Sequence, residues 1–345
     1  MFVGIAGPIC SGKHAVADYL VEKHAFTRIR LREVASVSPA LSRLALTPSP
    51  SCSDVKAEPK SNDRNAQLVF DHIDEVLEYV TKRWRDHFVT TDIRKESDLE
   101  TLCKRPFFLA LGIDAPVTTR YERFVTRCAA NGTPPPSFQN FVAQSDDDLY
   151  SSPSPIAPIL HRATVRLLNP SQSLTTLHQT LENLNLLDPA RLRPTWDAYF
   201  MYLADLAARR SNCMKRRVGA VLVRDQRVVS TGYNGTPKGI TNCNEGGCPR
   251  CNDATTGGHG LSTCFCMHAE ENALLESGRE RATDAVLYCN TCPCLTCSIK
   301  IAQVGIREVV YDVGYSMDEM SAKVLREAGV KLRQYNPPTE GLVMA

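Results

Sequence analysis

Two layered α/β domains are the fold class this 345-residue chain predicts. Three observations carry that reading. The first residues run apolar strand, glycine-rich loop, helix. Beyond Trp196, helices alternate regularly with short strands, the pattern of a layered α/β domain with a mixed or parallel sheet. Between them Pro189 to Pro194 marks a boundary, which places one domain at 1–188, a second at 194–336 and a tail at 337–345. The length is ample for two separate cores.

The elements can be justified in order. Phe2-Val3-Gly4-Ile5 reads as a first core strand, and Ala15 to Leu20 as the helix after it. Ser36 to Asn65 is polar and Ser/Pro-rich, the composition of a surface insertion without regular structure. Helical spacing at Ile73, Val76, Leu77 and Val80 predicts a helix within Asp71 to Phe88. Phe107 to Ile113 reads as a buried strand. A second Pro/Ser-rich insertion is expected near 131–158, and helical spacing resumes from Leu174 to Leu187. In the second half a helix is expected over Trp196 to Arg210. Val218–Val223 and Val228–Gly232 then form a hairpin across Asp225-Gln226. Helix, strand pairs follow at His268–Ser277 and Ala285–Cys289, at Cys294–Val304 and Glu308–Tyr311, and at Asp318–Ala328 and Val330–Gln334.

The charge is almost balanced, 40 basic against 38 acidic residues, and aromatic residues make up 7%. That argues against a nucleic-acid groove, which needs a concentrated positive field and stacking platforms. No basic leader precedes the first strand, and no apolar run is long enough to cross a bilayer, so a soluble cytoplasmic protein is expected. No nuclear localisation signal stands out, and a nuclear pool stays compatible with the sequence. Of 14 cysteines, ten lie between Cys213 and Cys297. Such clustering in a long chain favours metal ligation in a reducing compartment over a disulfide framework.

Two short motifs state the chemistry: His268-Ala269-Glu270, and Pro293-Cys294-Leu295-Thr296-Cys297. Together they are the signature of zinc-dependent base deaminases. His268, Cys294 and Cys297 supply three ligands and leave a fourth position open, where zinc makes water nucleophilic at neutral pH. Cys294 and Cys297, at i and i+3 near a helix N-terminus, lie on one face where the positive end favours thiolate. Glu270 is left to carry protons. A purely structural zinc site is the alternative, but such sites usually close with four ligands. Cys266 and Cys292 are off the pattern and read as core or supporting residues. Cys243-x4-Cys248-x2-Cys251, with Cys264 beyond, has ordinary spacing for a structural zinc, against a set of reduced buried thiols.

Residues 196–334 resemble deoxycytidylate deaminases of the fungal type. The matching segments are Val218-Gly-Ala-Val221, Gly232-Tyr-Asn-Gly-Thr-Pro237, Cys248-Pro-Arg-Cys-Asn252, His268-Ala-Glu-Glu-Asn-Ala-Leu274 and Cys292-Pro-Cys-Leu-Thr-Cys297. The resemblance implies a cytidine-deaminase-like three-layer α/β/α sandwich with a mixed sheet. It implies hydrolysis of dCMP to dUMP and ammonia for thymidylate synthesis, with catalytic zinc. It also implies activation by dCTP, inhibition by dTTP (with Mg2+ on the effector) and a homo-oligomer, often a hexamer. Cys213 aligns with a position that ligates a second metal in some relatives, which makes five candidates for four positions of a structural zinc: Cys213, Cys243, Cys248, Cys251 and Cys264. By the same resemblance Asn234 contacts the sugar, Tyr233 and Gly235 help hold nucleotide, and Tyr315 lies near the substrate 5′-phosphate. A plain turn accounts for the Asn-Gly as well. A polynucleotide cytosine or adenine deaminase, acting on tRNA or single-stranded DNA, is the alternative function.

The first domain carries Gly7-Pro-Ile-Cys-Ser-Gly12-Lys13-His14 between a strand and a helix, the context of a phosphate-binding P-loop. His14 departs from the motif, which has Ser or Thr there for magnesium. With Gly112-Ile-Asp-Ala-Pro116, Arg120 and Arg123, the region resembles small nucleoside-monophosphate or dephospho-coenzyme-A kinases, so a degenerate P-loop kinase-like α/β domain is expected. Phosphoryl transfer, nucleotide binding at Gly7, Gly12 and Lys13 without turnover, and a scaffold without ligand are its three readings.

Overall fold

The computed structural model describes residues 1–32, 67–151, 153–253, 263–314, 319–335 and 341–344. The insertion expected at 36–65 lies outside them. The chain divides into two units, Met1–Arg193 with Thr339–Ala345, and Pro194–Pro338.

The first unit is built on a seven-stranded, wholly parallel sheet. Its strands are β1 (Phe2–Ala6), β2 (Thr27–Leu31), β3 (Gln67–Phe70), β4 (Phe88–Thr90), β5 (Phe108–Asp114) and β6 (Val165–Leu168). Alternation along these strands feeds two cores. Val3, Ile5, Leu109 and Leu111 pack with Val16, Tyr19, Leu20 and Leu177, while Phe2, Ala6, Phe108 and Ala110 pack with Val76, Val80, Leu99 and Leu102. Both faces are therefore covered, as an all-parallel sheet requires. The helix predicted within Asp71 to Phe88 forms over Ile73–Lys82, and Phe88 enters β4 beside β1. Two expectations change here. The 131–158 stretch carries a helix, Phe138–Asp146, capped by the Ser137 hydroxyl, with Phe141 buried against Phe124 and Tyr121. The expected tail supplies Gly341–Met344, a parallel partner of β6 on the sheet edge.

The second unit holds a mixed five-stranded sheet. Its strands are β7 (Gly219–Arg224), β8 (Arg227–Tyr233), β9 (Val286–Thr291), β10 (Glu308–Val313) and β11 (Lys331–Gln334), in the order β11-β10-β9-β7-β8. The final edge strand of the chain, Gly341–Met344, is β12. β7 runs antiparallel to both β8 and β9, and the rest pair in parallel. The β7–β8 turn places Asp225 (φ 51°) and Gln226 (φ 61°) in the left-handed region, the geometry of a type I′ hairpin. Val221, Val223, Val286, Tyr288 and Val310 face Phe200, Met201 and Ala204 of the helix Trp196–Ala208. Ala220, Leu222, Leu287, Cys289 and Val309 face the helices Ala269–Ala282, Leu295–Val304 and Glu319–Glu327. This is an α/β/α sandwich. Two glycines let the layers close: a Cβ at Gly219 would stand 2.0 Å from the Ala204 carbonyl oxygen, and one at Gly232 2.0 Å from that of Ala269. No helix among the described residues is long and apolar enough to cross a membrane.

One polar network ties three elements of this unit. Arg333 on β11 donates to both Asp197 oxygens, at 2.7 and 3.1 Å, and Tyr288 on β9 donates to Asp197 at 2.9 Å. Burial pushes the Asp197 pKa up, but these hydrogen bonds outweigh it and hold the carboxyl below its ordinary value. A carboxyl lowered in the fold adds stability above its unfolded pKa of about 3.9, and that stability is lost as pH falls through the folded value. Asp197→Asn should therefore lower the unfolding free energy by about 1–2 kcal/mol at neutral pH. Urea melts at falling pH should show that deficit shrink; a deficit independent of pH would remove the charge from the explanation.

Candidate metal centre

His268 and Cys294 occupy equivalent places, each the residue that caps the N-terminus of a helix (Ala269–Ala282 and Leu295–Val304) with extended backbone. Cys297 lies one turn into the second helix. The three meet. His268 Nδ1 is 3.2 Å from the Cys297 sulfur and 3.3 Å from the Cys294 sulfur, and all three donor atoms lie within 4.8 Å of one another. Glu271 accepts the His268 backbone N–H at 3.0 Å and is ion-paired to Lys300 of the second helix, which joins the two helix starts.

The electrostatics are those of a site prepared for a cation. Hydrogen bonds from the Cys297 thiol, His268 and Thr296 hold the Cys294 thiol down to about 3 despite burial. The Cys294 thiolate in turn raises His268 to about 9. One nitrogen and two sulfurs at this separation, at two positive helix ends, fit zinc by donor type and number. Glu270 is 4% exposed, and burial first, with the Cys294 charge behind it, pushes its carboxyl up to about 7. That value places a proton acceptor and donor at working pH, beside the three ligands.

The loop after β8 lies next to this site. Asn234 is buried, and its amide clamps the segment after the Trp196–Ala208 helix. Its Oδ1 accepts from Ser211 Oγ at 2.7 Å and the Val218 N–H at 2.8 Å, and its Nδ2 donates to the Arg216 carbonyl at 2.8 Å. Those bonds use three of the four hydrogen-bonding positions of an amide and leave one N–H for a ligand. The Tyr233 carbonyl accepts from Asn272 at 3.1 Å, and Gly235 forms an antiparallel bridge with Met267, one residue before His268. Tyr315 lies outside the described residues.

The five cysteines expected around a second metal also come together, and a sixth joins them. Cys213, Cys243, Cys251 and Cys266 form one group of close sulfurs, and Cys248, Cys251, Cys264 and Cys266 another. The sequence offers Cys266 as a core or supporting residue off the catalytic pattern, and the structure places it in both cysteine groups. Its place in the cluster is visible only once the 243–251 loop folds back over the segment leading to His268. All six are free thiols.

In the first unit, Gly7 to Gly12 joins β1 to the helix Lys13–His24, with Gly12 capping it in a left-handed conformation (φ 108°). Lys13 does not reach outward: its Nζ donates to the Gly7 carbonyl at 3.1 Å, and burial lowers its pKa. Arg123 braces the loop from outside, donating to the carbonyls of Cys10 and Ser11 at 3.1 and 3.2 Å.

Residues 194–313 match the family described as the cytidine and deoxycytidylate deaminase zinc-binding region. The chain is 48% identical to the deoxycytidylate deaminase of Schizosaccharomyces pombe over 343 residues, 99% of each chain. It is 48% identical to that of Saccharomyces cerevisiae over 278 residues, 77% of this chain and 86% of the other. A crystal structure of the dCMP deaminase from cyanophage S-TIM5 with dCMP and dUMP is 32% identical, covering 40% of this chain and 94% of that one with a TM-score of 0.33. With a full-length relative at this identity and the ligand motifs assembled in one place, the chain belongs to the deoxycytidylate deaminase family.

Proposed function

We propose that this chain hydrolyses dCMP to dUMP and ammonia. The observation that supports it best is the buried Glu270 carboxyl standing two residues beyond His268, beside a cage of one imidazole and two thiols. A structural zinc site has no use for such a carboxyl. Zinc held by His268, Cys294 and Cys297 would supply Lewis acidity and a nucleophilic water at neutral pH. The chain's own residues do the rest. Glu270 takes one proton from the attacking water and gives it to N3 of the ring as the C4–O bond forms. It then takes the second from the new C4 hydroxyl and gives it to the amino group, so that the C4–N bond breaks, ammonia leaves and C4 becomes a carbonyl. Asn234 offers its remaining amide N–H to the nucleotide, from a position fixed by Ser211, Arg216 and Val218.

Activation by dCTP, inhibition by dTTP and a hexameric assembly belong to the same proposal, on the strength of the family resemblance. Ammonia release from dCMP, CMP, deoxycytidine and a cytosine-containing single strand, each with and without dCTP or dTTP, tests substrate and regulation together. Turnover confined to dCMP and raised by dCTP is expected; turnover of the polynucleotide would move the activity to nucleic-acid editing.

Glu270→Gln should lower kcat for dCMP by at least 100-fold, about the range a positioned acid–base group contributes, while bound zinc is unchanged. Full activity in that variant would overturn the mechanism. The same carboxyl makes a stability prediction. Its pKa rises from 4.5 to about 7 on folding. Its contribution is thus full below pH 4.5 and lost as pH rises toward 7. In zinc-free protein, Glu270→Gln should be more stable than the parent at pH 7 and lose that advantage by pH 4.5, as read by thermal melts at both pH values.

For the first unit the reading supported is nucleotide binding without phosphoryl transfer. The strand, loop and helix have the arrangement a phosphate needs, but His14 has no hydroxyl to hold magnesium. Lys13→Ala in the full-length chain should weaken MgATP binding at least 10-fold by calorimetry; undiminished binding would take Lys13 and its loop out of the nucleotide site, and no binding by the parent protein would leave this unit as a scaffold.

A further inference from the structure

The second cysteine cluster has more thiols than one metal can use. A tetrahedral ion takes four thiolates, whereas six sulfurs are gathered here in two overlapping groups. The overlap has a definite form: Cys251 and Cys266 belong to both groups, Cys213 and Cys243 only to the first, Cys248 and Cys264 only to the second. The spacing is also definite. Cys251 lies 3.8 Å from Cys213, 3.6 Å from Cys264 and 3.9 Å from Cys266, and Cys248 lies 3.9 Å from Cys264. The edge of a zinc–thiolate tetrahedron with bonds of about 2.3 Å is about 3.8 Å. A disulfide would bring two sulfurs to about 2.05 Å, and none of the six is so paired.

We propose that these six cysteines hold a binuclear zinc cluster in which Cys251 and Cys266 bridge the two ions. Cys213 and Cys243 complete one tetrahedron, and Cys248 and Cys264 complete the other. Hydrogen bonds to sulfur agree with this division. A bridging thiolate gives its lone pairs to two ions, whereas a terminal one keeps some for N–H donors. The backbone N–H groups of Met214 and Phe265 donate to Cys243 and Cys248, at 3.5 and 3.4 Å, and those of Lys215 and Arg216 to Cys213. All three acceptors of backbone N–H groups are terminal; the N–H aimed at a bridging sulfur is the guanidinium of Arg250 on Cys251, at the long distance of 4.0 Å. Uptake of two Zn2+ releases six thiol protons and leaves a cluster charge of −2. Arg250 stands where it offsets that charge, 4.0 Å from the sulfurs of both Cys251 and Cys264.

The surrounding backbone is shaped for the cluster. Asn252 Nδ2 donates to the carbonyls of Cys243 and Cys248, at 2.9 and 2.8 Å, pinning both ends of the loop between them. Inside that loop a Cβ at Gly247 would stand 1.7 Å from the Thr241 carbonyl oxygen, so only glycine fits. The cluster gathers three stretches, the one after the Trp196–Ala208 helix, the 243–251 loop and the segment entering His268. It therefore sets where His268 and, through Ser211, Asn234 stand.

Metal analysis of the full-length chain, purified under reduction, tests this independently of catalysis. Three zinc ions per chain are expected, and 113Cd substitution should give two thiolate-only resonances split by mutual coupling through the bridging sulfurs. A third, uncoupled signal comes from the His268 site. Two zinc ions per chain, or two thiolate-only signals without coupling, would overturn the binuclear assignment. Cys294→Ser should lower the count by one and leave the coupled pair intact, which separates failure of the His268 site from failure of this one. Cys266→Ser should abolish the coupling; if that variant does not fold, the coupling measured in the parent protein decides the matter alone.

Discussion

The metal centre rests on one geometric constraint: two helices must start at the same point on the same side of a sheet. β8 and β9 are each antiparallel to β7, so they run in the same direction. The chain leaves both at the same end of the sheet and goes on to helices that cover the same face. His268 and Cys294 cap those helices, which brings two positive helix ends to one place and makes it favourable for thiolate and for the anionic ligand set of a metal. Gly232 lets the first helix press close enough onto β8, and the Glu271–Lys300 pair holds the two helix starts together. Moving either helix by half a turn would separate the donors.

Burying Glu270 against this centre works against the fold and for the chemistry. A carboxyl inside the domain costs stability when ionised, which is why its pKa rises to about 7. The same displacement is what the proposed proton transfer at neutral pH would need. The cost is tolerable because the sandwich around it is tightly packed, with Ala269, Ala273, Leu287 and Cys289 fully buried beside it.

Much of this was legible in the residues because the ligands are close in sequence. His268 and Glu270 sit on one turn, Cys294 and Cys297 on another, and each motif opens a periodic helix. The sandwich's elements followed from apolar periodicity, and their ends moved by only a few residues. What escaped was non-local. β12 and β6 are four-residue parallel partners far apart in the chain, and nothing local signals their pairing. The Phe138–Asp146 helix was hidden by its Pro/Ser-rich flanks, although Phe138 and Phe141 have helical spacing. Cys266 stands beside a stronger motif, and only the folded chain shows that its sulfur turns toward Cys251 instead.

Between β8 and the His268 helix the described backbone has few regular hydrogen bonds of its own: a short helical turn at Cys243–Glu245, one at Pro249–Asn252 and the Gly235–Met267 bridge. Ordering the described part of this connection costs about 1–2 kcal/mol per residue in backbone entropy alone, and short turns return little of it. Metal–thiolate bonds can supply what secondary structure does not, because binding free energy at a site absent from the unfolded chain is folding free energy. The connection ends on Cys266, Met267 and His268, so order gained at the proposed cluster would be delivered two residues away at the His268 imidazole. A ligand placed on a helix cap is only as well positioned as the segment before that cap, and the proposed six-sulfur cluster would hold that segment here.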